Sequence, residues 1–523
     1  MHYDGQIIYR LWSTMNKLTG RESQGSMLTS DMADELQTRF LDVYSDEDIH
    51  LWCPPTSEGV NEAVVVDTHE VANALRSVKS NASGPDGIPG RVYRMFAAEL
   101  SIPLAHIFNR CFQLSYFPAP WRRSNIVPLA KKEKGQYRPI SLLPYASKAI
   151  EKLVVKRLIP SLRHSLSKSQ YAFTPTVHRG CSNALTYIRL STLQHISRTS
   201  GYCRILSLDF SKAFGTISHQ MLLEVMSRRF EYPQWILCMV SSYLTNRQQR
   251  VITPGYHTEW GAVSSGVPQG SVLGPLLFAL LIDDVAPVFP NSEMIVYADD
   301  INIIHHVSVT APDSLQLEAD SVAEWATSKR LRLNVRKTQL ITISRCSVAP
   351  PSVYMNGILI EEKSEMRILG VMFSSTTSWE AQHTLLYERC CRSLSLVKRL
   401  WLNNVSPSIL WQAYLGLVFS HIAWCWPVIC DLPKRHLVEY ERLERTVARW
   451  SRTAPSQSLT IRLDDIAERL AKRVATHSDK HPLATFFVIR APTTGLRRQR
   501  VLLPPASRHK YFLNTFIRYC SRT

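Results

Sequence analysis

The sequence lacks the features that mark several protein classes. None of its eleven cysteines belongs to a C-x-x-C pair, and two of them, Cys390 and Cys391, are adjacent. This pattern indicates neither a zinc site nor an ordinary disulfide framework. An odd number of cysteines in a long chain favours reduced thiols and an intracellular protein. The opening residues, MHYDGQIIYR, have no basic start followed by an apolar core, so no secretory signal is predicted.

One uncharged run could be mistaken for a membrane span: residues 409–430 contain no Lys, Arg, Asp or Glu. Its length is close to that of a membrane-spanning helix. Gln412, His421 and Pro427 interrupt it, together with several aromatic side chains. We therefore predict a helix buried in a soluble protein, and no membrane partner.

Acidic residues are fewer than basic ones. Asp and Glu total 43 and Lys and Arg total 61, which gives a formal net charge of +18. Such a surplus favours a polyanionic partner, of which nucleic acid is the commonest, although a solvated basic surface has the same composition. Apolar residues make up 45% and charged residues 20% of the 523 residues, as in folded proteins long enough for two or more domains.

The pattern along the chain predicts an α+β protein with a helical C-terminal part. Residues 1–64 are polar and are interpreted as a linker or extension. Residues 65–375 alternate helical stretches with short apolar runs of strand length. Residues 376–450 have helical periodicity, and residues 451–523 form a basic, weakly patterned tail.

Two adjacent aspartates, Asp299 and Asp300, lie between apolar runs of strand length at 294–298 and 301–304. This arrangement predicts a hairpin with both carboxylates at its tip. Adjacent acids repel each other, and a hard divalent cation such as magnesium relieves that repulsion. A solvated turn is the simpler interpretation of this pair taken alone.

A second apolar run, residues 205–208, ends in Asp209. An acid at the end of one strand can meet a hairpin tip on a neighbouring strand. Three carboxylates can then hold two metal ions, roughly 3.5–4 Å apart, for in-line phosphoryl transfer. The spacing of the residues does not by itself establish that they converge.

Between these acids lies the loop Gly-Val-Pro-Gln-Gly-Ser (266–271), followed by an apolar run that predicts a buried helix. Backbone N–H groups at a loop-to-helix junction suit a phosphate or a base pair. A structural turn before a core helix is the alternative for any one of these glycines.

These motifs together resemble the reverse transcriptases of non-LTR (LINE-type, jockey-like) retrotransposons. The resemblance runs from about residue 65 to about residue 430. Seven segments carry it in this order: Ser-Gly-Pro-Asp-Gly (83–87), Tyr-Arg-Pro-Ile-Ser-Leu-Leu-Pro (137–144), Leu-Asp-Phe-Ser-Lys-Ala-Phe (208–214), Gly-Val-Pro-Gln-Gly-Ser (266–271), Tyr-Ala-Asp-Asp (297–300), Leu-Arg-Leu-Asn-Val-Arg-Lys-Thr (331–338) and Ile-Leu-Gly-Val (368–371).

The resemblance implies a right-hand polymerase fold, with fingers and palm in 65–375 and a thumb-like region in 376–450. It implies an RNA-directed DNA polymerase that extends a DNA primer on an RNA template, using deoxynucleoside triphosphates and Mg²⁺, or Mn²⁺ as a substitute. Asp209, Asp299 and Asp300 would be the catalytic acids and metal ligands. Lys337 would donate a proton to the leaving pyrophosphate, although by residue type alone it is a surface lysine.

The resemblance also assigns a nucleotide-binding set. Arg138 and Lys131 would contact the triphosphate, although an exposed arginine is usually only solvated. Gln269 and Gly270 would touch the incoming nucleotide or the templating base. Phe214 would exclude a ribose 2′-hydroxyl, with a core aromatic as the alternative. Such a gate argues against an RNA product, and therefore against another palm polymerase such as a viral RNA-dependent enzyme.

Several positions depart from the family pattern. Gly215 stands where an acid is usual, and residues 172 and 174 lack the expected Gly and Arg. The first 60 residues leave no room for the endonuclease domain that normally precedes the polymerase, so we expect this domain to be absent. A catalytically decayed remnant that only binds nucleic acid is the alternative function. The family further implies a ribonucleoprotein that moves between cytoplasm and nucleus.

Overall fold

The structure is a computed structural model that describes residues 29–44, 64–77, 80–131, 133, 135–174, 178–199, 201–230, 232–308, 311–453, 455–490 and 501–503. These ranges contain helices and β-sheets whose strands pair antiparallel except for β1 with β4, which confirms the predicted α+β class. The helices are α1 (Ser30–Leu41), α2 (Thr68–Arg76), α3 (Gly90–Met95), α4 (Ala97–Gln113), α5 (Tyr145–Ser165), α6 (Cys181–Arg198), α7 (His219–Arg229), α8 (Gln234–Leu244), α9 (Gly274–Leu281), α10 (Leu315–Ser328), α11 (Glu380–Leu402), α12 (Pro407–Tyr414), α13 (Ser420–Ile429), α14 (Lys434–Ser451) and α15 (Leu459–Thr476).

The strands form one central sheet, one larger peripheral sheet and several short hairpins. In chain order they are β1 (Arg123–Ala130), β2 (Tyr137–Leu142), β3 (Tyr202–Leu208), β4 (Arg247–Thr253), β5 (Tyr256–His257), β6 (Gly261–Val263), β7 (Ser292–Tyr297), β8 (Asp300–Val307), β9 (Gln339–Ile343), β10 (Tyr354–Met355), β11 (Ile358–Leu359), β12 (Glu365–Ile368), β13 (Val371–Ser374), β14 (Val488–Arg490) and β15 (Val501–Leu503).

The central sheet has the antiparallel strand order β7-β8-β3-β9 and separates two hydrophobic cores. Successive side chains on a strand point to opposite faces. Along β3, Ile205 therefore packs into one core, while Leu206 and Leu208 pack into the other. Because both faces are covered, each strand has apolar side chains on both faces, which makes short apolar runs recognisable in the sequence. Polar residues are also buried in this sheet, among them Arg204, Asn302 and His305.

Each core belongs to a different set of helices. The first core lies between the sheet and helices α2, α4, α5 and α7 to α10. The second core lies between the sheet, α6 and helices α11 to α15. Helices α11 to α14 occupy the region predicted to be a helical thumb.

The N-terminal segment differs from the linker predicted for residues 1–64. Residues 30–41 form helix α1, which begins where the Thr29 side chain accepts a hydrogen bond from the backbone N–H of Met32. Ala33, Leu36 and Phe40 form the buried face of this helix and pack with apolar residues of the peripheral sheet, whose strand order is β2-β1-β4-β5. These three apolar residues have helical spacing, but the polar residues around them give the segment the composition of a linker.

The C-terminal segment also differs from the tail predicted for residues 451–523. Ser458 caps helix α15, and Leu463, Ala467 and Leu470 lie buried in the second core. The 3-10 helix Pro482–Phe486 packs in the same core. Helix α15 is therefore an integral part of the C-terminal half. Arg469, Lys472 and Arg473 are exposed on it, while Arg462 pairs with Glu444.

The uncharged run is helical from Pro407 to Ile429, with a π-helical turn at Leu415–Phe419. By length and composition alone this helix could cross a membrane. One side of it contributes Tyr414, Val418, Ile422 and Trp426 to the second core. The Tyr414 hydroxyl donates a hydrogen bond of 2.8 Å to the carboxylate of Glu444, so this side of the helix packs against protein.

Candidate active site

The structure brings the three predicted acidic residues to one end of the central sheet. Asp209 directly follows β3, whose last residue, Leu208, pairs with Ile301 of β8. Asp300 begins β8 and pairs with Tyr297 across the hairpin, so that Asp299 lies in the turn. Because β3 and β8 are neighbours, Asp209 lies beside this turn, and the convergence that spacing alone did not establish is present.

The hairpin turn holds a strained backbone. Ala298, the residue before the aspartates, has a φ of 56°. Positive φ is uncommon for residues with a side chain, and glycine or asparagine is the usual choice in a two-residue hairpin. A strained turn that carries two exposed acids costs folding free energy, so it points to a functional role for the turn.

Desolvation and the neighbouring negative charges raise the pKa of two of the acids. Desolvation by the surrounding protein, followed by the negative charges of Asp299 and Asp209, raises the pKa of Asp300 to about 6. Partial burial raises the pKa of Asp209, while the positive charge of Lys337 and a hydrogen bond with the Asn334 side chain oppose that rise. Carboxylate oxygens in this arrangement are donors of the kind that magnesium binds.

Two of the predicted basic residues lie near the acids. Lys337 and Lys131 both act electrostatically on Asp209. The Lys337 ammonium also lies 3.7 Å from the carboxylate of Glu133, in an exposed pair. The backbone N–H of Asn334 donates a 2.8 Å hydrogen bond to the Asp209 carbonyl, which fixes the segment that carries Lys337.

Arg138 and the glycine-rich loop are held together by strand β2. Arg138 is exposed on this strand. Further along it, the N–H of Ser141 donates a 2.8 Å hydrogen bond to the Gln269 carbonyl. A Cβ atom on Gly270, whose φ is 132°, would lie 2.6 Å from the Ser141 carbonyl oxygen. Only glycine fits there, so Gln269 and Gly270 lie in a fixed position relative to the strand that carries Arg138.

At the junction between this loop and helix α9, the structure differs from the prediction. We proposed that its backbone N–H groups suit a phosphate or a base pair. Instead, the carboxylate of Glu151 accepts the N–H groups of Val272 and Leu273, at 2.7 and 3.0 Å. Glu151 is fully buried and also accepts from the Ser147 hydroxyl. These groups therefore hold the loop in place.

Phe214 is half-buried beside the loop. Its ring centroid lies 4.8 Å from that of Phe278 in the first core, and its carbonyl accepts a 2.8 Å hydrogen bond from the N–H of Val267. This position suits a gate and equally a core aromatic, so its role stays a prediction. The neighbouring Gly215 lies close to the segment after α1, because a Cβ there would be 2.9 Å from a methyl group of Val43.

The sequence reasoning did not identify Asn334 and Glu151 as site residues. Asn334 lies within the segment 331–338 that carried part of the resemblance, so its motif gave a signal. Glu151 binds backbone groups 121 and 122 residues away along the chain. No local pattern can indicate a contact of that sequence separation.

Comparison with known proteins agrees with this geometry. Residues 129–373 match the family model described as reverse transcriptase (RNA-dependent DNA polymerase). The RNA-directed DNA polymerase from the mobile element jockey of Drosophila melanogaster is 26% identical over 83% of this chain and 51% of its own length. The probable RNA-directed DNA polymerase from transposon X-element of the same fly is 25% identical, over 75% of this chain and 45% of its own length.

Among solved structures, the apo telomerase from Candida tropicalis is similar, with a TM-score of 0.40 and 12% identity over 74% of this chain and 73% of that chain. The chain spans about half the length of the retrotransposon proteins that it matches. Residues 129–373 are a reverse transcriptase domain, and most of the chain is similar to RNA-directed DNA polymerases of mobile elements such as jockey.

Proposed function

We propose that this chain is an RNA-directed DNA polymerase that extends a DNA primer on an RNA template. The observation that carries the proposal is the convergence of Asp209, Asp299 and Asp300 at the end of β3 and the β7–β8 turn. The match of residues 129–373 to the reverse transcriptase family supports the same activity. The net charge of +18 suits two nucleic-acid strands.

The three aspartates would hold magnesium ions, with manganese as a substitute. When bound, such ions lower the pKa of a primer 3′-hydroxyl and stabilise the charge that develops on the transferred phosphoryl group. The raised pKa of Asp300 fits this role, because a bound divalent cation would offset both the desolvation and the repulsion that disfavour its charged form.

The other residues would bind and orient the deoxynucleoside triphosphate. Arg138 and Lys131 supply positive charge for the triphosphate, while Gln269 and Gly270 sit on the same strand-anchored loop. Lys337, which acts on Asp209, would donate a proton to the departing pyrophosphate. The ribonucleoprotein state and its movement between cytoplasm and nucleus stay predictions.

The test is primer extension on an RNA template with magnesium and deoxynucleotides, comparing the purified chain with Asp299→Ala. We expect extension by the wild-type chain and none by the variant, because the variant loses one of three metal-binding carboxylates. Both proteins should have the same circular dichroism spectrum and bind RNA equally at matched salt. If the folded wild-type chain binds RNA and does not extend the primer, the decayed nucleic-acid-binding remnant becomes the better description.

Phe214 offers a separate test of the product. If its ring excludes a 2′-hydroxyl, Phe214→Ala should increase incorporation of ribonucleotides relative to deoxynucleotides by roughly tenfold or more. Phe278→Leu is the control, since it alters the packing beneath the Phe214 ring without removing that ring. If both variants lower the incorporation of the two nucleotides to the same extent, Phe214 is a core residue only.

A further inference from the structure

Two helices of the C-terminal half each carry a glutamate and a histidine three residues apart. Glu380 and His383 lie at the start of α11, and His436 and Glu439 lie near the start of α14. Residues with this spacing lie on the same face of a helix. The two faces meet crosswise, with His383 Nε2 at 3.5 Å from Glu439 Oε2 and His436 Nε2 at 3.2 Å from Glu380 Oε1.

The two imidazole rings are buried against each other with unsatisfied nitrogen atoms. Their centroids are 3.8 Å apart, and His383 and His436 are only 7% and 6% exposed. Within the described residues, Nε2 of His383 and Nδ1 of His436 have no hydrogen-bond partner. A buried nitrogen without a partner is unfavourable, so an additional ligand that satisfies both rings is expected to stabilise this arrangement.

The surroundings keep one ring in the form that binds metals. Burial of His383 disfavours the charged imidazolium and lowers its pKa. Neutral imidazole is the ligand form of histidine. Glu439 adds a carboxylate that is about one-third exposed, which gives an ion a route from solvent.

We propose that His383, His436 and Glu439 bind a divalent cation of the zinc class. One ligand atom from each residue lies within 4.8 Å of the other two, and among the described residues this is the one group of His, Cys, Asp and Glu that meets this spacing. Two imidazoles and one carboxylate are a ligand set that zinc uses, with a water molecule completing four-fold coordination. Modest side-chain movement brings the three atoms to zinc–ligand distances of about 2.0–2.2 Å.

Glu380 has a positioning role in this arrangement. Metal bound to the unpartnered Nδ1 of His436 leaves the ring proton on Nε2, which then donates to Glu380. A carboxylate that accepts from a metal-bound histidine fixes its tautomer and orientation. Arg435 pairs with the same Glu380 oxygen, Oε1, and so helps to hold that carboxylate beside His436.

The imidazole donors separate this site from the aspartate cluster. Imidazole suits zinc, whereas magnesium prefers oxygen ligands. The proposed ion would cross-link α11 and α14, the first and last helices of residues 376–450. Zinc would therefore stabilise the packing of the C-terminal helices and leave the chemistry at Asp209, Asp299 and Asp300 to the oxygen-bound ions.

The test is a zinc titration of the full chain, stripped with a chelator and kept in excess magnesium so that the aspartate site is occupied. The readouts are the amount of zinc bound and the shift in melting temperature. We expect one equivalent of zinc to bind and to raise the melting temperature. His383→Gln, His436→Gln and Glu439→Gln should each weaken binding roughly 100-fold or more, and Glu380→Gln roughly 10-fold.

The matched control is His477→Gln, since His477 also stacks on a histidine, His178, with ring centroids 4.4 Å apart. It should bind zinc like the wild-type chain. Circular dichroism of the metal-free variants establishes that they are folded, and the partly exposed Glu439 supplies a folded variant if a histidine variant is not. Failure of the wild-type chain to bind zinc, or equal binding by His383→Gln and Glu439→Gln, would overturn the proposal and leave an ion-paired histidine stack.

Discussion

The two ends of strand β3 hold acidic residues in opposite ways. Near its start, the buried guanidinium of Arg204 lies 2.8 Å from Asp313, which also accepts a 3.1 Å hydrogen bond from the Tyr202 hydroxyl. Beyond its end, Asp209 lies beside Asp299 and Asp300, and Asp209 forms no ion pair with a residue that the structure describes. At the start of β3 the acid is paired with a buried counter-ion from the chain. At its end three acids meet without an ion pair among the described residues, an arrangement that suits a cation from solution.

The largest expected effect is on activity at the end of β3. Asp209→Asn should reduce primer extension by roughly 1,000-fold or more, because it removes one of the three carboxylates proposed to hold the metal ions. Its unfolding midpoint in urea should change little, since the substitution also removes electrostatic repulsion. A variant with near wild-type extension would show that the acids at this end are surface charges only.

At the start of β3 the expected effect is on stability. Asp313→Asn leaves the fully buried Arg204 without its counter-ion, which should lower the free energy of unfolding by about 3–5 kcal/mol. Glu388→Gln is the control, because it breaks the exposed pair with Arg392, which contributes at most about 0.5 kcal/mol. Urea unfolding of the two variants measures the difference. Equal losses would mean that burial does not distinguish these pairs.

The smallest expected effect is a pH-dependent gain in stability. The pKa of Asp300 is about 6 in the folded chain and about 3.9 in an unfolded one. The folded state therefore binds this proton more tightly, and the magnesium-free chain loses stability as the pH rises from about 4 to about 6. Asp300→Asn should lack this loss and be more stable above pH 6, by about 1 kcal/mol at most because Asp300 is exposed.

Thermal unfolding of both proteins, well below and well above pH 6, tests this expectation. Magnesium added above pH 6 should stabilise the wild-type chain more than the variant, because only the wild-type chain has the complete acidic cluster. Identical pH profiles for the two proteins would show that Asp300 is not the titrating group.

The central strands and the acidic hairpin were predictable because their signals are local. Residues 205–208 and 301–304 are apolar on both strand faces, and each run has an acid at its end. The pairing of β3 with β8 could not be predicted. The residues of β3 and β8 are about 100 positions apart, and spacing alone does not say which strands are neighbours.

Helices α1 and α15 were missed for a different reason. Each has a capping residue, Thr29 or Ser458, and buries one narrow apolar face. The charged and polar residues on the remaining faces lower the average hydropathy, so each segment has the composition of a linker or tail. A helix in such a segment can be recognised only from the periodicity of its apolar residues and from its capping residue.

The covering of the central sheet on both faces has a consequence for how this sequence can change. Substitutions in β3 that keep an apolar side chain of similar volume alter one core locally. An insertion or deletion of one residue within the same strand would change its register by one. Ile205 and Leu206 would then face the opposite cores, and Asp209 would move along the partner strand. Among related sequences we therefore expect residues 202–208 to vary in composition and to keep their length. Length changes should occur mainly in surface connections such as the loop between β10 and β11.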